Sequence, residues 1–167
     1  MNKMFWVTAR WAPAIALLFL AGCASLSKPA APMPAHGANW QGRLALKIHS
    51  EPVQAFSAYF DLQGDAQAGV LTFFTPIGST AARLEWNPQG AQLQTTGEPQ
   101  QFASVDALTR HTTGATLPIP SMFAWLKGIN TATPGWEVDL KGFDDGKILA
   151  QRLAPETAVD LKITLDR

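Results

Sequence analysis

From Trp40 to His49 the chain alternates: Trp40, Leu44, Leu46 and Ile48 fall on one side, Gln41, Arg43, Lys47 and His49 on the other. A period of two held this long is the mark of a strand with one buried and one wet face. The same pattern returns over Val53 to Leu62, with Phe56, Ala58, Phe60 and Leu62 aligned before a turn at Gly64-Asp65. It returns again over Thr80 to Trp86, and in Val159, Leu161, Ile163 and Leu165. Val70 to Thr75 is a short apolar run, and Asn87-Pro-Gln-Gly90 is a turn into a short strand around Leu93. Trp136 to Leu140 and Lys147 to Leu153 flank a turn over Gly142 to Gly146. Between the two groups of strands the pattern changes. Ser104 caps a helix over Val105 to Thr113 that stops at Gly114, and Leu117-Pro-Ile-Pro120 opens a second short helix ending near Gly128. The order is five strands, two helices, three strands. Chain-adjacent strands with tight turns predict an antiparallel meander with the helices over one open face.

Little in this chain suggests catalysis. The 167 residues carry 13 Lys+Arg against 13 Asp+Glu, which argues against an electrostatic nucleic-acid binder. A single cysteine excludes an internal disulfide framework and a multi-cysteine zinc site. The three histidines, His36, His49 and His111, have no ligand-like spacing, and neither a His-Glu-x-x-His nor a Gly-x-Ser-x-Gly motif is present. Gly64 to Gly69 lacks the lysine of a phosphate loop, Asp144-Asp145-Gly146 reads as a hairpin turn rather than a calcium loop, and Asp61 and Asp65 read as solvated turn residues. An enzyme is not expected, nor a metal site.

The N-terminal segment is of another kind. Lys3 and Arg10 accompany an apolar run, Trp11 to Leu20, that is too short to span a bilayer and ends in Leu20-Ala21-Gly22-Cys23. This ending resembles the lipobox of bacterial lipoproteins. The resemblance implies a signal peptide over 1–22 and covalent diacylglyceryl and N-acyl groups on Cys23, with no other cofactor. Losing 1–22 removes two cations and no acid, so the mature chain is mildly acidic, and the apolar share falls from 47% to about 43% (62 of 145 residues). Ala24 in place of an aspartate resembles the sorting pattern for the outer membrane. Residues 23–38 then form the lipidated cysteine and a tether. Pro29, Pro32 and Pro34 favour an extended chain, with a reach of roughly 45 Å over Ala24 to Ala38. The folded domain occupies 39–167.

One apolar residue sits where a polar one is normal. In Phe73-Phe74-Thr75-Pro76-Ile77-Gly78-Ser79, Ile77 lies between Pro76 and Gly78 at the tip of a strand connection. Turns are filled by Gly, Pro, Asn, Asp and Ser, so Ile77 either folds back onto the sheet or reaches toward a membrane or partner. Phe56, Phe60, Phe73, Trp86, Phe123, Trp125 and Trp136 form either a packed core or the wall of a cavity for acyl chains.

Phe73-Phe74-Thr-Pro-Ile-Gly-Ser-Thr80 resembles the Asn/Thr-Pro-Leu-Gly-Ser segment of the LolB family. Leu117-Pro-Ile-Pro120 followed by Trp125-Leu-Lys-Gly128 resembles that family's Pro-x-Pro and Trp-x-x-Gly helix. With the lipobox and strand order the likeness covers most of 39–167. It implies a mainly β fold with some α, an antiparallel unclosed half-barrel of about 8–11 strands covered by short helices. It also implies a receptor on the periplasmic face of the outer membrane that accepts lipoproteins from a LolA-like periplasmic carrier and inserts them into that membrane. The seven aromatics would then line the acyl cavity, and Ile77, with Pro76 and Gly78, would form a membrane insertion loop. The partners are the carrier, cargo acyl chains and outer-membrane lipid, not nucleic acid, and the chain is a monomer. Two departures from the family stand out: no helix precedes Trp40, and the stretch between Pro120 and Trp125 is about two residues short. Readings from other classes are a non-transferring scaffold lipoprotein for envelope assembly and a carrier of a small apolar ligand.

Overall fold

The alternation in the sequence becomes the inner wall of a single curved sheet. A computed structural model describes residues 37–153 and 157–166; the expected signal peptide, Cys23 and nearly all of the tether lie outside them. Among the described residues there are nine strands: β1 (Ala38–Ile48), β2 (Gln54–Gly64), β3 (Gly69–Phe74), β4 (Thr80–Asn87), β5 (Gly90–Gln94), β6 (Gln100–Phe102), β7 (Trp136–Asp139), β8 (Lys147–Arg152) and β9 (Val159–Leu165). The helices are α1 (Val105–Thr113) and α2 (Ile119–Trp125). All pairings are antiparallel, and the spatial order is β6-β5-β4-β3-β2-β1-β9-β8-β7. The sheet does not close, since β6 and β7 stand at opposite ends of that order. It is an unclosed half-barrel of mainly β structure with two short helices.

One sequence expectation is corrected. There are six strands before the helices rather than five, because β6 was not anticipated; three residues following Pro99 are too few to show a period. The Gly142-to-Gly146 turn contains a single 3₁₀ turn, Phe143–Asp145, closed by Gly146 in the left-handed region. Register places inward residues in cross-strand rows. In one, Leu161, Leu46 and Phe56 stand side by side; in another, Leu62, Leu71, Leu84 and Leu93 do. Such rows are the unit in which a sheet gains packing energy.

The helices are held by local chemistry. Ser104 accepts the Ala107 N–H at 3.1 Å, and Gly114 ends α1 in the left-handed conformation. Pro120 sits in the first turn of α2, where its missing N–H is not needed. Past the end of α2, the Ile129 N–H reaches back to the Ala124 carbonyl and Gly128 adopts φ +74°, which gives a physical reason for the Trp-x-x-Gly spacing. The ring of Phe143 lies where a Cβ on residue 128 would stand. The indole of Trp40 donates to the Leu126 carbonyl at 3.1 Å, and Phe123 packs edge-on against Trp40 and tilted against Trp86. Trp86 in turn covers Gly69, its register partner, and donates to the Asp65 carbonyl.

Candidate functional site: an apolar groove and a protruding turn

Aromatics fill one end of the concave face, and smaller side chains leave space at the other. Here a groove of about 250 Å³ lies between the sheet and the C-terminal turn of α1. Its floor comes from Leu46 and Ile48 on β1, Phe56 on β2, and Phe73, Leu84 and Leu93 on β3, β4 and β5. Ala82, opposite Phe73 in register, keeps the floor low, and Gln54, Ala55 and Thr95 stand at its margin. Thr112 and Thr113 form the roof. Their hydroxyls are already engaged, Thr112 donating to the Leu108 carbonyl at 3.0 Å and Thr113 to that of Thr109 at 2.7 Å. The roof therefore offers no unsatisfied hydroxyl proton to the groove. None of the described lining residues is ionisable, so the compartment suits an uncharged apolar chain.

Ile77 occupies the turn between two strands that both line this groove. The turn is built from its own sequence. Pro76 sets the backbone at its second position, and the Gly78 N–H donates to the Thr75 carbonyl at 2.9 Å. Gly78 takes φ +85°, the Thr75 N–H donates to Ser79, and the Thr75 hydroxyl accepts the Ser79 N–H. No atom lies within 4 Å of where a Gly78 Cβ would be, so backbone conformation alone asks for glycine there. Ile77 does not fold back: it is 89% exposed. A register irregularity beside the turn, between Phe73 and Phe74, marks where the paired strands end.

Of the seven aromatics expected around a cavity, the structure brings only Phe56 and Phe73 to this groove, with their rings 5.1 Å apart, edge to face. Phe56 remains 44% exposed at its opening. Phe60, Trp86 and Phe123 are buried in the core cluster instead. Trp125 is fully buried; its indole N–H finds no acceptor among the described residues, and its ring lies 6.1 Å from Trp136. Trp136 belongs to a separate depression near β7 and β8, of about 450 Å³, together with Pro118, Pro134, Arg152 and Leu153. The physical reason is size: bulky rings fill the face beneath α2, and this groove survives where Ala82, leucines and threonines stand beside Phe56 and Phe73. Inward alanine and threonine positions were the signal available in the sequence, and Leu46, Ile48, Ala82, Leu84, Leu93, Thr112 and Thr113 were not singled out.

Fold and groove together define a class, an antiparallel half-barrel with a helical roof over an apolar compartment. A model of the family described as outer membrane lipoprotein LolB matches residues 38–162. Proteins named outer-membrane lipoprotein LolB are similar along much of the chain. That of Bordetella petrii is 28% identical, the alignment covering 97% of this chain and 94% of that protein. Those of Bordetella pertussis and Thiobacillus denitrificans are each 32% identical, covering 71% and 65% of this chain. The chain spans 63% and 59% of the length of those two relatives. The chain belongs to the LolB family of outer-membrane lipoproteins. Its setting is lipoprotein localisation at the outer membrane.

Proposed function

We propose that the chain accepts the acyl end of a lipoprotein from a soluble periplasmic carrier, holds it in the groove, and releases it into the outer membrane beside the Ile77 turn. The observation that carries this reading is the coupling of an apolar groove to an exposed apolar tip: Phe73 and Ala82 line the groove on the two strands joined by the turn.

Energetics require contact between carrier and receptor. Each buried CH₂ is worth about 0.8 kcal/mol, so a chain of roughly sixteen carbons does not cross water at a useful rate. Mouth-to-mouth docking with rising affinity along the path removes that barrier without a nucleotide. The groove of about 250 Å³ lies just below the roughly 300–1,000 Å³ of pockets for drug-sized ligands. It seats part of one acyl chain, and the remainder lies against Phe56 at the opening. Cys23, acylated, holds the receptor at its target membrane, and the proline-rich tether supplies reach.

The test is handover. The lipid-anchored chain in phospholipid vesicles is mixed with a periplasmic carrier loaded with a palmitoylated lipoprotein. The expected result is lipoprotein recovered in the vesicles in proportion to receptor. Recovery unchanged by omitting the receptor overturns the reading, and receptor that takes up free fatty acid but no lipoprotein reduces it to a small-ligand carrier.

A further inference from the structure

Beside the groove, one stretch of β2 has a neighbour on one side only. β1 pairs with β2 along its whole length, from Gln54 to Gly64, but β3 joins β2 only from Tyr59 onward, opposite Phe74. The direction of the backbone groups follows from the other side of β1. The Gln41 carbonyl accepts the Asp166 N–H and the His49 N–H donates to the Ala158 carbonyl, so odd-numbered residues of β1 face β9 and even-numbered ones face β2. Ile48 stands opposite Gln54 and Leu46 opposite Phe56. On β2 it is therefore Ala55 and Ser57 whose N–H and C=O groups point away from β1. Among the described residues no other backbone group bonds to them.

This edge is only lightly guarded. Exposed strand edges are normally blunted by charge, proline or a bulge. Val53-Gln-Ala-Phe-Ser-Ala58 itself has no charged residue and no proline; Pro52 stands just before it, and Arg43 on β1 donates its Nε to the Ser57 hydroxyl at 3.2 Å, which leaves the Ala55 and Ser57 backbone groups open on two small, exposed residues. Gln54, Ala55 and Phe56 line the groove, so edge and groove share an opening.

We propose that Ala55 and Ser57 hold, as an added strand, the extended polypeptide that follows the acylated cysteine of the lipoprotein cargo. The proposal rests on the acyl-accepting reading of the groove. An acyl chain seated there leaves its cysteine at the opening, and the residues that follow must leave past the β2 edge. This chain's own residues 24–38 show what such a segment is like, mostly short side chains and prolines with no apolar periodicity. Backbone pairing reads no side chain and so accepts any sequence able to extend. Tethering by the lipid makes the pairing effectively intramolecular, so a few hydrogen bonds suffice.

The experiment compares three probes on the full mature chain: palmitic acid, diacylglyceryl-cysteine, and diacylglyceryl-cysteine extended by a ten-residue Ser/Ala/Asn peptide. Amide hydrogen exchange at Ala55 and Ser57 is the first readout and affinity the second. The extended probe is expected to protect both amides and to bind about tenfold more tightly than diacylglyceryl-cysteine. Ser57→Pro, which removes a free-edge N–H the fold does not use, is expected to abolish that advantage and leave palmitic acid binding unchanged. Exchange is measured on the unaltered chain, so it decides even if proline disturbs the strand. Equal affinities without protection overturn the edge proposal and leave the groove reading intact. Failure of all three probes to bind overturns both. Protection that rises with protein concentration in the absence of any probe shows that a second copy occupies the edge, and likewise overturns the proposal.

Discussion

The indole N–H of Trp40 on β1 meets the carbonyl of Leu126, just beyond α2, at 3.1 Å across 86 residues of chain. That bond, with the Phe123 ring against Trp40, ties the helical roof to the first strand. Trp40→Phe keeps an aromatic body and removes the donor, leaving a part-buried carbonyl without its partner. The expected loss is about 1 kcal/mol of unfolding free energy, read by urea denaturation.

Gly114 and Gly128 adopt nearly the same backbone, φ 69° and 74°, in different surroundings. A Cβ at 114 meets nothing within 4 Å, whereas at 128 it comes within 2.7 Å of the Phe143 ring. Gly114→Ala is expected to cost about 1 kcal/mol from backbone conformation alone. Gly128→Ala costs more, by about 1–3 kcal/mol of overpacking, and Phe143→Ala in the same chain shrinks the difference. Denaturation midpoints of Gly114→Ala, Gly128→Ala, Phe143→Ala and the 128/143 double variant check this.

Ala82 keeps the groove open opposite Phe73. Ala82→Phe fills space already present, so the fold is retained while a fluorescent fatty acid loses its site. Displacement titration is the measurement, and undiminished binding places the acyl chain elsewhere.

Ile77 touches solvent over most of its surface, so Ile77→Glu is expected to change stability by less than about 0.5 kcal/mol. Its effect falls on delivery: uptake of lipoprotein from the carrier persists, and transfer into vesicles drops at least severalfold. Delivery equal to that of the unaltered chain removes the tip from the mechanism.

Asp65 closes the β2–β3 turn by accepting the N–H groups of Gln67 and Ala68 at 2.8 and 2.9 Å. The Ala68 bond foremost, then that of Gln67, holds its carboxyl below the ordinary value of 3.8. The ionised form is thus the bound form. Its contribution is complete above about pH 4 and is lost as pH falls through the depressed pKa. Asp65→Ala is expected to lower the urea midpoint at pH 7, with the gap to the unaltered chain narrowing at pH 2.

How much of this was legible in the residues varied with the signal. β1, β4 and β9 were readable because each has one wet face, and Ile77 was readable because its chemistry contradicts its place in a turn. β6 was not, since three residues carry no period. Five of the seven aromatics were the wrong guide to the groove, because most large rings pack into the core; Phe56 and Phe73 do line it. Ala82 and Thr113 shape it by being small: the alternation over Thr80 to Trp86 already put Ala82 on the inner face, while the place of Thr113 depends on how α1 lies over the sheet. The free edge at Ala55 and Ser57 was hidden altogether, because it depends on where β3 stops pairing.

The two ends of the sheet carry a different consequence. β6 has three residues and β7 four, so a neighbouring molecule gains only a short ladder by pairing there. Proteins anchored to one leaflet are crowded in two dimensions, where encounters between identical copies are frequent. Short terminal strands limit the ladder that two copies of an open sheet can share at those ends. The fold can forgo closure, and keep its compartment accessible, because its ends are too brief to propagate.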